Sequence, residues 1–369
     1  MKTSIYNKLA YIALYLAILC FLSVLAFHFP EYLSNPQLRE VYDVEQLRMI
    51  LLGSLYVSFG LGLIALLLGR KKGLALAAIL MAALASILGG SAVTVEVPIQ
   101  QKPIYLSLDL IILDLLVMSL IFVPLERIFY LRRQRFLREG LATDLSHYAL
   151  NHLLMGGIFV LIVWPGNWIH QNIFLNRVPQ LTQKMPIWLQ VLAILFIADF
   201  AQYWIHRYFH TRKRWWQFHK IHHSTMKMDW LASSRLHIGD VIATRAFSYV
   251  PIVCLGFSQA AVQVYMPIVA IQALFVHSNV RFHFGPLRYI LTTPLVHHWH
   301  HSSQPEALDK NFAVTFSIID VVFGTFHCPR AWPEKYGLYQ ERISSSFVKQ
   351  LVYPFVDQLR RSPKGENPK

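Results

Sequence analysis

An all-α, multi-pass membrane protein is the fold class this sequence predicts, on three observations. Hydrophobic residues make up 55% of the 369-residue chain and charged residues only 15%, against about 25% charged in a soluble domain. Mean hydropathy is +0.40. Apolar runs of about twenty residues, the length that crosses a hydrocarbon core, recur along the chain. The same figures exclude intrinsic disorder, which needs low hydrophobicity and high charge. Cys20, Cys254 and Cys328 are too few and too far apart for a disulfide framework or a cysteine zinc site. The net charge of +14 lies between apolar stretches, where it reads as a topology signal. No nucleic-acid-binding motif accompanies it.

Taken in order, about six full spans are predicted, at 9–27, 49–69, 73–93, 105–125, 146–164 and 187–205. The first follows Lys2 and Lys8 but lacks a small-x-small cleavage site, so it reads as a retained anchor. The fourth contains Asp109, near the membrane edge, and Asp114, deep enough to require a partner. The sixth continues past the membrane, placing His206 and His210 at i, i+4 on one helix face. Two shorter stretches, 241–256 and 259–276, are joined by Gly256-Phe257-Ser258 and predict a helical hairpin.

Counting Lys and Arg in alternate loops places Lys2, Lys8, Arg70, Lys71, Lys72, Arg127, Arg132, Arg133, Arg135 and Arg138 on one side. Arg39, Arg48, Lys102, Arg177 and Lys184 fall on the other. The richer side is the cytoplasmic one, which puts the stretch after residue 205 there and, with 241–276 as a hairpin, residues 277–369 on the same side, as a histidine-rich helical cap. Three regions are predicted: N-terminal transmembrane helices of unassigned role (1–140), a catalytic region (141–340) and a cytosolic tail (341–369).

Of 17 histidines, 12 lie between residues 206 and 301. Beyond His206 and His210, two H-x2-H-H groups stand at His219, His222, His223 and at His297, His300, His301, with His237 and His277 between them. His298 lies inside the second group and His283 outside any. Neutral imidazole is the commonest metal ligand and suits iron, zinc, copper and nickel. So many imidazoles exceed the needs of one ion, so two ions are expected. No glutamate occurs between Glu139 and Glu306, which excludes an H-E-x-x-H zinc hydrolase and a ferritin-like carboxylate site. Haem would leave most of these histidines unexplained. An imidazole-rich pair of first-row metals in a membrane points to non-haem redox chemistry.

The text D-F-A-Q-Y-W-I-H-R-Y-F-H (199–210), H-K-I-H-H-S (219–224), R-L-H (235–237), F-V-H-S-N (275–279) and T-P-L-V-H-H-W-H-H-S (293–302) resembles the fatty acid hydroxylase/sterol desaturase superfamily of membrane di-iron oxygenases. N-F (311–312) and D-V-V-F-G-T (320–325) continue the likeness. The resemblance implies His206, His210, His219, His222, His223, His237, His277, His297, His300 and His301 as ligands of two iron ions, with zinc able to substitute on purification. It implies O2 as cosubstrate and hydroxylation of a lipid C–H bond, or desaturation as the alternative. At 238–240 the chain reads Ile-Gly-Asp where the family often has proline and an acidic residue after R-x-H.

Metal-bound histidines need acceptors that fix the ring tautomer; Asp199, Asp229, Asp240, Asn279, Asp309, Asn311 and Asp320 are available in or beside the boxes, and Asp199, Asp240, Asn279 and Asn311 are the candidates chosen. Phe247, Tyr249, Phe257 and Tyr265 would line a lipid path along the hairpin. No dinucleotide motif or iron–sulfur cysteine set is present, so electrons must come from a separate donor, cytochrome b5-like or a ferredoxin with its reductase. Arg207, Arg212, Lys213 and Arg214 would face an acidic donor or lipid head groups. A non-catalytic metal-binding membrane protein is the alternative from another class, but a transporter should carry its ligands within its spans. The bacterial inner membrane is favoured over the endoplasmic reticulum, because no retrieval signal ends the chain.

Overall fold

A computed structural model of the chain describes residues 2–39, 42–95, 105–173 and 177–361. Among these residues there is no strand, only two isolated bridges, Tyr130 with Val280 and Ser302 with Tyr336. The principal helices are α1 (Lys2–His28), α2 (Val44–Leu68), α3 (Lys72–Ile87), α4 (Leu108–Ile128), α5 (Leu141–Leu153), α6 (Met155–Asn172), α7 (Ile187–Thr211), α8 (Lys213–His223), α9 (Ile238–Leu255), α10 (Gln259–His277), α11 (Pro294–His300) and α12 (Phe347–Arg361). Seven helical stretches are long and apolar enough to cross a membrane: α1, α2, α3 with the turn that follows it, α4, α7, α9 and α10.

The single span expected at 146–164 is interrupted: a turn at Leu154 separates α5 from α6. The physical reason lies in α5, which buries Thr143, Asp144, His147 and Asn151. Such a polar face is matched to a protein interior and would be expensive against lipid.

Contacts divide the chain into two compact units. The first holds residues 1–117 and 152–157, the second residues 118–151 and 158–369, so the division falls inside α4, ahead of residue 140. In the first unit α1, α2 and α3 meet along a seam of small residues: Ala13 and Ala17 of α1, Ala65 of α2, Ala75, Ala78 and Ala82 of α3, all buried. Small side chains let membrane helices approach closely. A Cβ added to Gly62 of α2 would lie 2.9 Å from Cγ1 of Ile79. Asp114 finds its partner in Nε2 of His152 at 3.3 Å, and Asp109 accepts the backbone N–H of Asn35 and the Tyr42 hydroxyl.

In the second unit α7 packs on the hairpin, with Val191, Ile194, Leu195 and Ala198 against Ile252, Ala261 and Tyr265. Tyr249 and Phe257 join this cluster. Tyr265 is buried in this cluster, Tyr249 and Phe257 are partly buried against it, and Phe247 is exposed. The hairpin turn follows from its residues. Gly256 takes the left-handed conformation (φ 66) that closes α9, and the Ser258 hydroxyl accepts Ala261 N–H to open α10.

The stretch beyond residue 340 returns to the histidine-bearing helices. Glu341 pairs with the buried Lys220 of α8 at 2.8 Å, and Gln350 of α12 bonds Nε2 of His147 at 3.0 Å.

Candidate metal centre

Helix geometry does the first part of the assembly. Positions i and i+4 share a face, so α7 presents His206 and His210 together, and α8 presents His219 and His223. Thr293 caps α11 through Val296 N–H, with Pro294 at its first turn, which sets His297 and His301 on one face. His277 ends α10.

With His222 and His300 these make nine histidines, which form two groups. His206, His210, His219, His223 and His300 make the first; His222, His277, His297 and His301 make the second. Within each, one candidate ligand atom per residue lies within 4.8 Å of every other. The two H-x2-H-H segments exchange members. The first segment puts His219 and His223 in the five-membered group and His222 in the four-membered one. The second does the reverse, with His300 crossing to the first group. The groups adjoin, the His223 and His301 rings stacking with centroids 4.5 Å apart.

The orientation of the rings shows what they suit. Nδ1 of His206 faces Phe312 O (2.7 Å), that of His300 Lys310 O (2.7 Å), that of His277 Ala273 O (2.7 Å) and that of His222 Arg235 O (3.3 Å). Nδ1 of His219 meets Oδ2 of Asp240 at 2.7 Å, and Nδ1 of His210 lies 3.4 Å from Oδ1 of Asp309. An Nδ1–H donated outward leaves Nε2 as an inward lone pair. Nε2 of His206 and His219 then stand 2.9 Å apart, as do Nε2 of His297 and His277. Nε2 of His210, His223 and His300 has no hydrogen-bond partner among the described residues. Buried lone pairs facing one another are repulsive unless a cation lies among them.

Burial keeps the rings in the form a metal requires. It pushes His222, His223, His297 and His301 well below the ordinary histidine pKa, and His300 down to about 3. A neutral imidazole is the ligating species.

His237 is the exception among the expected ligands, belonging to neither group. Its Nδ1 accepts Gly239 N–H to cap α9, and its Nε2 bonds Leu351 O of α12 at 3.0 Å. Both nitrogens are engaged, so this histidine is a helix cap and a clamp. His298 is likewise engaged at both nitrogens, by the Tyr336 hydroxyl and Ser278 O. His283 contacts Trp332.

Of the expected tautomer-fixing groups, Asp240 touches a ligand ring. Asp199 and Asn311 act one step further out. Asp199 accepts Val314 and Phe316 N–H, while Asn311 bonds Val296 O and both backbone groups of His327 within the segment (N–H and O). Together with Asp320, which accepts Phe312 and Ala313 N–H, they hold the loop whose carbonyls orient His206 and His300. Asp309 and Asn311 adopt positive φ (55 and 58) in that loop, a conformation Asp and Asn tolerate better than other side chains. Asn279 pins Arg132 through its backbone N–H and O and touches no ligand ring. Of the other carboxylates noted beside the boxes, Asp309 touches His210 and Asp320 holds the loop, while Asp229 pairs with Arg138.

The fatty acid hydroxylase family model matches residues 191–325. An ornithine lipid hydroxylase of Rhizobium tropici is 34% identical over 190 residues, covering 50% of this chain and 56% of that enzyme. An alkylglycerol monooxygenase of Danio rerio is 31% identical, over 46% of this chain and 38% of the relative. A methylsterol monooxygenase of Arabidopsis thaliana is 24% identical, over 40% and 49%. The chain thus spans little more than half of these relatives, or less. No solved structure matches it.

Proposed function

We propose, from the match of residues 191–325 to the fatty acid hydroxylase family model, that the chain hydroxylates a C–H bond of a membrane lipid, using O2 and electrons from outside. The observation that carries this reading is the set of inward Nε2 lone pairs in two adjoining groups, each with the donors for one metal ion. Iron is the metal of this proposal, two ions per chain, because an imidazole set without glutamate suits non-haem redox work better than hydrolysis. Bound there, the iron pair supplies O2 reduction and hydrogen abstraction from an unactivated C–H bond.

The chain's own residues supply the rest. Carbonyls of Ala273, Lys310 and Phe312 fix three rings as Nδ1–H tautomers, and Asp240 does so with a charge. Phe312, wholly buried against His206, His210 and His300, excludes water from the first group. Exclusion of water protects a strong oxidant from side reactions. The three relatives are named for an ornithine lipid, an alkylglycerol and a methylsterol. A polar-headed apolar molecule is therefore the substrate class proposed here, reached from the bilayer. Arg138 pairs with Asp229, so the cation-rich stretch 127–138 lies beside the histidine-bearing helices, and the positive-inside rule supports a cytoplasmic side for both; a bacterial inner membrane is the membrane of this proposal.

Lipid mass spectrometry of a deletion strain, the complemented strain and a His222→Ala strain tests the reading. One lipid should gain one oxygen atom only in the complemented strain. Loss of two hydrogens instead would make the protein a desaturase. An alanine strain that restores the lipid would defeat the metal-site argument.

A further inference from the structure

The five-histidine group has an aromatic neighbour that reaches the surface. The Trp216 ring centroid lies 5.0 Å from that of His210, 5.4 Å from that of His223 and 6.3 Å from that of His219. These histidines have little or no exposure, whereas Trp216 is half-buried. Just before it in α8 come Arg212, Lys213, Arg214 and Trp215, all exposed.

Those cations sit at the wrong end of a helix. The N-terminus of α8 carries the positive end of the helix dipole, where Asp or Glu stabilises and Lys or Arg opposes. The first turn of α8 contains no acidic residue, and Arg212 at the N-cap makes no side-chain capping bond. Ion pairs among the described residues include none of the three cations. Arg212 lies over the Tyr208 ring at 5.8 Å, but no acidic side chain among the described residues pairs with any of the three cations, so the face is open to an external anion.

We propose that Arg212, Lys213 and Arg214 dock an acidic one-electron carrier protein, and that Trp216 couples this face electronically to His210, His219 and His223. The inference rests on the oxygenase reading. Each turnover would draw two electrons, one from each of two carrier molecules, each carrier being oxidised by one electron as one ferric ion becomes ferrous. Anionic lipid head groups are the competing occupant, since α7 ends at Thr211. They would have no use for a half-exposed indole in contact with three histidines.

The test uses the full chain, iron-loaded, in nanodiscs of neutral phosphatidylcholine, with an acidic [2Fe–2S] ferredoxin as the carrier probe. Calorimetry should show binding that weakens about tenfold between about 50 and about 300 mM salt. The double variant Lys213→Glu/Arg214→Glu should weaken it about tenfold again at low salt, with iron content unchanged. Trp216→Leu should leave ferredoxin affinity intact but lower the ratio of ferredoxin-driven to dithionite-driven reduction about tenfold, and Trp216→Phe should restore most of it. The inference is overturned if the charge-reversed chain binds like the parent or if both reduction rates fall together. It is also overturned if binding depends only on added phosphatidylglycerol, which would assign the face to head groups. A chain that docks ferredoxin and takes up its electrons yet oxygenates no lipid would sink the oxygenase reading while leaving the docking face standing.

Discussion

The two histidine groups come from the same sequence motif yet differ in what stands behind the rings. In the five-membered group His219 leans on the buried carboxylate of Asp240 and His210 on Asp309. In the four-membered group the acceptors are backbone carbonyls, of Arg235 and Ala273. Nδ1 of His297 and of His301 has no hydrogen-bond partner among the described residues. An anionic acceptor raises ligand basicity and offsets part of the cation's charge. The two groups are therefore unequal: the proposed ions should bind more tightly in the five-histidine group, while the other would hold its ion with neutral groups alone.

Removing a ligand should break this comparison most visibly. His222→Ala leaves three of four rings in the weaker group, whereas His300→Ala leaves four of five in the stronger. Iron analysis should find about one ion per chain for His222→Ala and close to two for His300→Ala. Turnover of His222→Ala should fall below about one hundredth, since loss of an outer acceptor alone typically costs 10–100-fold. Equal iron loss from both variants would mean that the groups act as one site.

Asp240→Asn sharpens the comparison without deleting a ligand. It keeps the shape but replaces the anion behind His219, so chelator competition should show about 10–100-fold weaker binding in the five-histidine group, with the other unchanged. Weakening of both groups alike would show that Asp240 acts on the fold as a whole.

Further out, Asp144 tests the weaker group. It is fully buried and pairs with Arg138 and Arg235, and Arg138 also pairs with Asp229. Arg235 supplies the carbonyl behind His222. Asp144→Asn strands buried guanidinium charge and should lower unfolding stability by about 3 kcal/mol, measured by thermal denaturation in detergent. Iron loss, where it occurs, should come from the four-histidine group first.

The smallest effect belongs to His237. His237→Asn keeps a capping side chain, so iron content should stay at the parent level while stability falls by about 1 kcal/mol. Iron loss in this variant would return His237 to the ligand set. Burial lowers its folded pKa below the ordinary histidine value. Below about pH 6.5 the unfolded chain then binds more protons than the folded one. The contribution is thus complete above that pH and fades as pH falls, and hydrogen exchange in α12 should rise on acidification in the parent more than in His237→Asn.

Much of the site was legible in the sequence because metal ligation needs a particular side chain at a helical spacing. Eight histidines at i, i+3 and i+4 offsets carry that signal in the letters themselves, and His277 stands alone. His237 carries the same letter in the same region, and its identity does not reveal that both nitrogens are engaged by Gly239 and Leu351. The acceptors were harder still. Four of the six rings with a defined Nδ1 partner lean on a backbone carbonyl, and a carbonyl exists at every residue, so no letter marks it. Asp199 and Asn311 stand out in the sequence as polar groups near the histidines, but what they hold in the structure is the loop that orients the rings.

The sequence alone determined that this is a helical membrane chain with an imidazole-rich centre, because burial of apolar length and the chemistry of ligation depend on residue type and spacing. Only the tertiary structure decided how the two H-x2-H-H segments divide between two groups and which group has carboxylates behind it. That partition depends on which faces of α7, α8, α10 and α11 meet, and on the loop carrying Lys310 and Phe312 closing over them. Such long-range packing leaves no local periodicity to read.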